Sequence, residues 1–287
     1  MRKILKEVAC GIVVLFIAVV TYSLFFGRLI PYSPFPAVFR HQEFRRTVLY
    51  FHEGTDISDL PDFDTLIEQT ERFHGLRFKR KVRIFLTLSD REMGRLTGAR
   101  ARFNSHPIYG SIFVSASAQR QYRDGTLDMA VFLRHEMSHS LVYQSMSLYH
   151  ALFFPGWLME GIATYSSNMM GVDRYYSKEK TYATIRRGLF LIPDDWGTIV
   201  RSPTAREKNF PLPDRIFFFY SEFACIVDDL IALRGKEEFL LFLQHLMEDP
   251  DLEKGFPKVY GMKYQEYLED FRTRVERSTP LPEGPSN

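Results

Sequence analysis

The chain has 287 residues, 45% hydrophobic and 25% charged, which excludes a disordered protein and allows one large folded unit or two small ones. Its formal net charge is only +2, and its basic run at Arg77–Arg83 is short, which excludes a dedicated nucleic-acid binder. Two cysteines, Cys10 and Cys225, are too few for a cysteine-built zinc site and lie in segments not expected to meet.

The first element is a membrane segment. Val8–Phe26 (VACGIVVLFIAVVTYSLFF) carries no charge, and its roughly nineteen residues suffice to cross ~30 Å of hydrocarbon as a helix. Arg2, Lys3 and Lys6 precede it, Arg28 closes it, and Tyr22, Phe25, Phe26 and Tyr32 form an aromatic far edge. A cleaved signal peptide is the competing reading. It calls for a shorter apolar region and a small-x-small cleavage site, which Phe25-Phe26-Gly27-Arg28 does not offer. The expectation is therefore an uncleaved anchor over residues 8–27, with residues 1–7 cytoplasmic. The basic flank places the remainder outside the cytoplasm, periplasmic or extracellular in a bacterium. Residues 28–43, with prolines between Pro31 and Pro36, read as a linker.

Residues 44–125 read mainly as sheet. Arg45–His52 and Val82–Leu88 are strand segments, and Gly110–Ala116 (GSIFVSA) is a third. A helix is expected over Phe63–His74, and a shorter one, capped at Ser89-Asp90, runs to Gly98. Residues 126–277 read as helical. Thr126–Ser147 is one long helix with Thr126 as its N-cap, and Pro155-Gly156 breaks the chain before a second helix over Trp157–Met169. Lys178–Leu189, Ile216–Arg234, Glu237–Met247 and Lys263–Arg277 follow, with Gly235 as a stop. The tail 278–287 (STPLPEGPSN) has a disordered composition. Strands first and helices later give an α+β fold, a small mixed sheet followed by a helical lobe. The 26 Phe and 15 Tyr are read as core material rather than a binding platform.

The chemistry concentrates in His135-Glu136-Met137-Ser138-His139. Residues four apart share one face of a helix, so His135 and His139 can hold one Zn²⁺ together. Glu136, offset by one position, is placed to act as a base toward water at that ion. A chance match or a satisfied pair of core histidines is the bland alternative. The next helix carries Glu160 in WLMEGIATY, an acid in an apolar stretch that would be costly to bury without a partner. Two imidazoles, one carboxylate and an open fourth position make the catalytic zinc pattern, one ion per chain.

HEMSH, WLMEGIATY and the later FFFYSEFACIVDDLIALRG together resemble the gluzincins, the thermolysin-like and aminopeptidase-like zinc metallopeptidases of the MA clan, particularly the small peptidase MA-like domains. The resemblance covers roughly residues 45–275. It implies a zincin-like domain with His135, His139 and Glu160 as metal ligands and Glu136 as general base. Its substrates would be peptides or proteins, and the N-terminal helix would hold it in the bilayer. It also implies that Tyr220 donates to the oxyanion and that Ser111, Ile112, Phe113 and Val114 form a substrate-aligning edge strand. Two departures stand out. The position four after the third ligand, often acidic in gluzincins, is Thr164, a hydroxyl without charge. The edge-strand region has no glutamate to bind a free amino terminus, which favours internal cleavage unless Glu222 supplies one. Arg134 and Ser138 flank the ligands, His106 precedes the edge strand, and His150 is read as structural. A silent metal-stabilised scaffold and a zinc hydrolase of a non-peptide amide remain alternative functions.

Overall fold

The apolar start of the chain forms helix α1 (Arg2–Phe26) in the computed structural model, which describes residues 2–33, 36–108 and 110–278. The tail 279–287 lies outside the described residues. Within α1, Lys6–Phe26 has a mean hydropathy of 2.6 with none of its most apolar stretch buried in the protein, so it is long and apolar enough to cross a membrane.

Residues 28–43 are not the free linker expected. A 3₁₀ turn over Ile30–Tyr32 buries Ile30 completely, and strand β1 (Arg40–Glu43) pairs antiparallel with β2 (Thr47–Phe51). All four residues of β1 are exposed, so it shows no apolar alternation by which to recognise it. Helix α2 (Phe63–His74) then connects β2 to the parallel strand β3 (Val82–Leu86). It starts where the Asp62 side chain accepts from the Asp64 N–H and stops at Gly75, whose φ of 64° suits a residue without Cβ. Helix α3 (Asp90–Thr97) is capped by Ser89, as expected.

Strands β4 (Phe103–Ser105) and β5 (Ile112–Val114) complete a five-stranded sheet of order β1-β2-β3-β5-β4. This corrects the expected edge strand. Ser111, Ile112, Phe113 and Val114 are fully buried, and β5 is paired on both sides, parallel to β3 and antiparallel to β4. A run apolar on both faces suits an interior position, and the more polar β4, of equal length, takes the edge.

Helix α4 (Ala116–Arg123) precedes α5 (Met129–Ser145). The N-cap of α5 is Asp128, which accepts from the Ala130 and Val131 N–H groups, and not Thr126, whose hydroxyl donates to the Gln121 carbonyl. A carboxylate satisfies two free donors and adds a favourable charge at that end. The short α6 (Leu148–Phe153) follows. Then α7 (Gly156–Ser166) ends earlier than expected, where the Ser167 hydroxyl donates back to Ala163 O at 2.7 Å. Helices α8 (Lys178–Arg186), α9 (Ala205–Lys208), α10 (Arg215–Arg234), α11 (Lys236–Glu248), α12 (Leu252–Tyr260) and α13 (Tyr264–Arg277) build the rest of the lobe, with a 3₁₀ turn at Pro193–Trp196.

Three cores hold these elements. Leu49, Ile84 and Ile112 on one sheet face meet Leu66 and Ile67 of α2 and Leu133 and Met137 of α5. On the other face the rings of Tyr50, Phe85 and Phe113 stack at 4.4 and 4.7 Å, closed over by Ile30, Phe39, Met93 and Leu96. The helical lobe is filled by aromatics such as Trp157, Phe218, Phe223, Phe242 and Phe256, as the composition predicts. Each such side chain contributes about 1.5–3 kcal/mol on burial. Cys10 is exposed on α1 and Cys225 is buried in α10, both free.

Candidate metal centre

Helix α5 is buried on most sides between the sheet and the helical lobe. One turn separates His135 from His139, so both imidazoles leave the same face, with their Nε2 atoms 3.1 Å apart. The Pro155-Gly156 break lets α7 return beside α5. It brings Glu160 Oε2 to 3.4 Å from His135 Nε2 and 3.3 Å from His139 Nε2. The three groups form the candidate ligand set among the described residues.

The donor set fits a divalent ion. Three atoms each ~2.0–2.1 Å from a tetrahedral ion stand about 3.3–3.4 Å from one another, close to the triangle seen. Among the described residues, Glu160 Oε2 is buried without a well-formed hydrogen bond, and His135 Nδ1 and His139 Nδ1 are buried without partners. Three such donors this close must share protons or repel, and a divalent cation satisfies all of them at once. Burial alone would push the Glu160 carboxyl up, but the His139 charge and the approach of both imidazoles hold it well below the usual range.

Glu136 leaves the same helix one position on and is buried at the cleft floor. Burial raises its carboxyl above the ordinary value, with His135 and His139 pulling the other way and the Ser105 backbone N–H directed at it from β4. That is the setting of a carboxylate able to hold and release a proton. Tyr220 of α10 lies face to face with His135, ring centroids 6.0 Å apart, with Tyr175 and Trp196 against its other sides. Burial and the neighbouring Glu160 carboxylate, within hydrogen-bonding reach, hold its phenol protonated far into the alkaline range.

Other expected residues are placed differently. Thr164 is fully buried, but its hydroxyl has no partner among the described residues, so it supports neither histidine by hydrogen bonding. A threonine hydroxyl stays close to its own backbone and reaches less far than a carboxylate. Glu222 lies neither in the cleft nor in solvent. It is fully buried, accepts the Leu191 N–H at 3.3 Å, and is pushed well above the carboxylate range by burial. Ser138 points away from the ligands and donates at 2.9 Å to His74 Nε2, while His74 Nδ1–H donates to Thr70 O, tying α5 to α2. Arg134 donates at 2.8 Å to the Ser167 carbonyl and so holds the end of α7, the helix that carries Glu160. His106 packs edge-on against Tyr32, and His150 sits on α6 beside Tyr149, both away from the cleft.

The cleft above the cluster holds about 810 Å³. Sequence reasoning missed several of its walls. Edge strand β4 forms one side, and Tyr143 and Tyr175 flank Glu136 and Glu160. Tyr143 lies four residues after His139, one further turn along the same face, and that spacing was the available signal. Arg102, paired with Asp173, and Arg174, paired with Asp214, line the mouth with Arg100. Beyond Tyr143 and Glu160 a second groove continues past Gly156 and Trp196. No family model matches the chain, and neither does any curated protein.

Proposed function

We propose that this protein is a zinc-dependent peptidase of the gluzincin kind, tethered to a membrane by α1, which cleaves within polypeptide chains. The observation that carries the reading is the convergence of His135, His139 and Glu160, with Glu136 and Tyr220 bordering the same space. Two nitrogen donors and one carboxylate oxygen suit zinc and leave a coordination position free for catalysis. When bound, the ion supplies the Lewis acidity that makes water a nucleophile near neutral pH and polarises a carbonyl.

The chain's own residues do the rest. Glu136 takes the proton from the attacking water and returns it to the leaving amine. Tyr220, held protonated, donates to the oxygen that gains charge in the tetrahedral state. The outer edge of β4 offers backbone groups for an extended substrate strand. Internal cleavage is favoured by the groove that continues on the far side of Glu160. It is also favoured by the cleft's acids among the described residues: Glu136, Glu160 and Asp173, the last already paired with Arg102, leave none for a free amino terminus.

The test is metal analysis of the purified chain paired with peptide-library cleavage. Glu136→Gln should keep the metal and lose about 10²–10⁴-fold in turnover. Equal cleavage by that variant sinks the base assignment. A metal-loaded wild type that cleaves nothing across the library would instead mark a silent scaffold.

A further inference from the structure

We infer that α3 and the loop after it rest on the membrane that α1 spans, with anionic phospholipid headgroups as the partner of Arg28, Arg91 and Arg100. The inference rests on α1 crossing a bilayer. If the peptidase reading also holds, the cleft takes chain segments just outside the bilayer.

The first support is the absence of slack behind α1. Arg95 Nη1 donates to the carbonyl of Phe26, the last residue of the helix. The Arg28 guanidinium lies so close over Gly98 that a Cβ there would meet it at 3.6 Å. Ile30 is fully buried among Phe39, Phe85, Met93 and Leu96, and Arg83 holds the Pro31 and Ser33 carbonyls at 2.8 and 3.1 Å. From Phe26 to Ile30 the chain can span at most about 14 Å, about twice the ~5–8 Å of headgroup layer on one side of a bilayer. The domain therefore cannot move far from the surface, and α3 is the element fastened to the exit point.

The second support is charge. Arg91 and Arg95 stand one turn apart on α3, and they, Arg28 and Arg100 are exposed. The acids nearby are already engaged. Asp90 accepts the Ser117 N–H at 2.9 Å and lies 3.8 Å from Arg120. Glu92 accepts the Leu88 N–H at 2.7 Å and pairs with His52 and, at 3.2 Å, with Arg95 itself, which leaves Arg28, Arg91 and Arg100 as the cations without an acidic partner among the described residues. Between α3 and the loop lies a concavity whose charged lining is Arg91, Arg100 and Arg102 against the single acid Asp90, a net positive set. A basic surface this near the bilayer is drawn to anionic lipid.

The third support is continuity with the site. Arg100, Ala101 and Arg102 line both this concavity and the cleft above the metal cluster. A membrane beneath the first therefore lies at the mouth of the second.

The test uses the full chain in vesicles containing anionic lipid, with fluorescence quenching by nitroxide lipids. Native Cys10 on α1 is exposed and Cys225 is buried, so labelling the wild type reports on α1 alone. Ala101→Cys and Lys258→Cys, both exposed positions, are labelled in a Cys10→Ala background. Lys258 lies on α12, whose main packing partners are α11 and α13 of the helical lobe. A headgroup nitroxide should quench the probe at 101 at least about twofold more than that at 258, and the excess should fall when zwitterionic lipid replaces anionic. If the Cys10 probe escapes a deep acyl-chain nitroxide, α1 is not inserted and the membrane reading falls with the inference. If Cys10 is quenched but 101 is quenched no more than 258, the surface contact alone is overturned. Quenching at 101 that ignores lipid charge overturns the anionic headgroup as partner and leaves a closeness imposed by the tether alone. None of these readouts depends on turnover.

Discussion

Tyr220 is the residue whose role is most open to a direct test. Its ring packs on His135, Tyr175 and Trp196, and these contacts survive removal of the hydroxyl. Tyr220→Phe should therefore fold normally and keep its metal. Loss of one donor to a developing oxyanion typically costs about 10²–10³-fold in kcat, with little change in KM if the contact forms only in the transition state. Steady-state kinetics on any peptide the wild type cleaves would measure this. An unchanged kcat would reduce Tyr220 to packing and pass the donor role to Tyr143 or Tyr175, which border the same carboxylates.

At the scale of elements, the site depends on how closely α7 approaches α10. Gly161, next to Glu160, makes that approach: a Cβ there would stand 2.8 Å from the Phe223 carbonyl oxygen and 3.0 Å from its carbon. Both are backbone atoms, which yield only if a helix moves. Gly161→Ala gains up to about 1 kcal/mol of helix propensity but meets an overpacking cost of about 1–3 kcal/mol. It should lower the melting temperature and weaken metal binding together, because Glu160 moves with α7. A variant as stable and as tightly metallated as wild type would refute this packing argument. The α2–α5 contact has a pH signature. Burial holds His74 down to about 4 from an ordinary 6.5, so the unfolded chain binds that proton more readily than the folded one. Its contribution is complete above about 6.5 and drains away as pH falls toward 4, worth about 3 kcal/mol in all. In metal-free protein, His74→Gln should flatten stability against pH across that window, and unchanged steepness in denaturant titrations would sink the assignment.

Which of these features the sequence disclosed follows from how local each one is. The bounds of α2 agree because its apolar period, its polar cap and Gly75 all sit within one short window. The convergence of His135, His139 and Glu160 was legible because helical spacing and a chain break are sequence-local. β1 and β4 are too short for a period to register, and α12 carries Pro257 inside it. Which strand takes the edge is decided by pairing between distant segments, so β5 was mistaken for β4. Tyr175 reaches the cleft through a loop whose path no local pattern encodes.

For the whole molecule, the arrangement predicts what a metal does to stability. The ligands come from two helices, α5 against the sheet and α7 within the helical lobe, so a bound ion ties the two halves together. Yet three separate apolar cores stand without it. The protein should therefore stay folded after chelation, unlike small domains whose folding free energy is mostly metal binding. An ion present at a thousandfold excess over its Kd adds about 4 kcal/mol. At about 2–4 °C per kcal/mol for a domain of this size, chelation should lower Tm by roughly 8–16 °C. Glu160→Ala, which removes the ligand from α7, should melt near the chelated value with or without added zinc. Complete unfolding on chelation would show that the cores cannot hold the halves together alone, and a zinc-insensitive wild type would show that α5 and α7 share no ion.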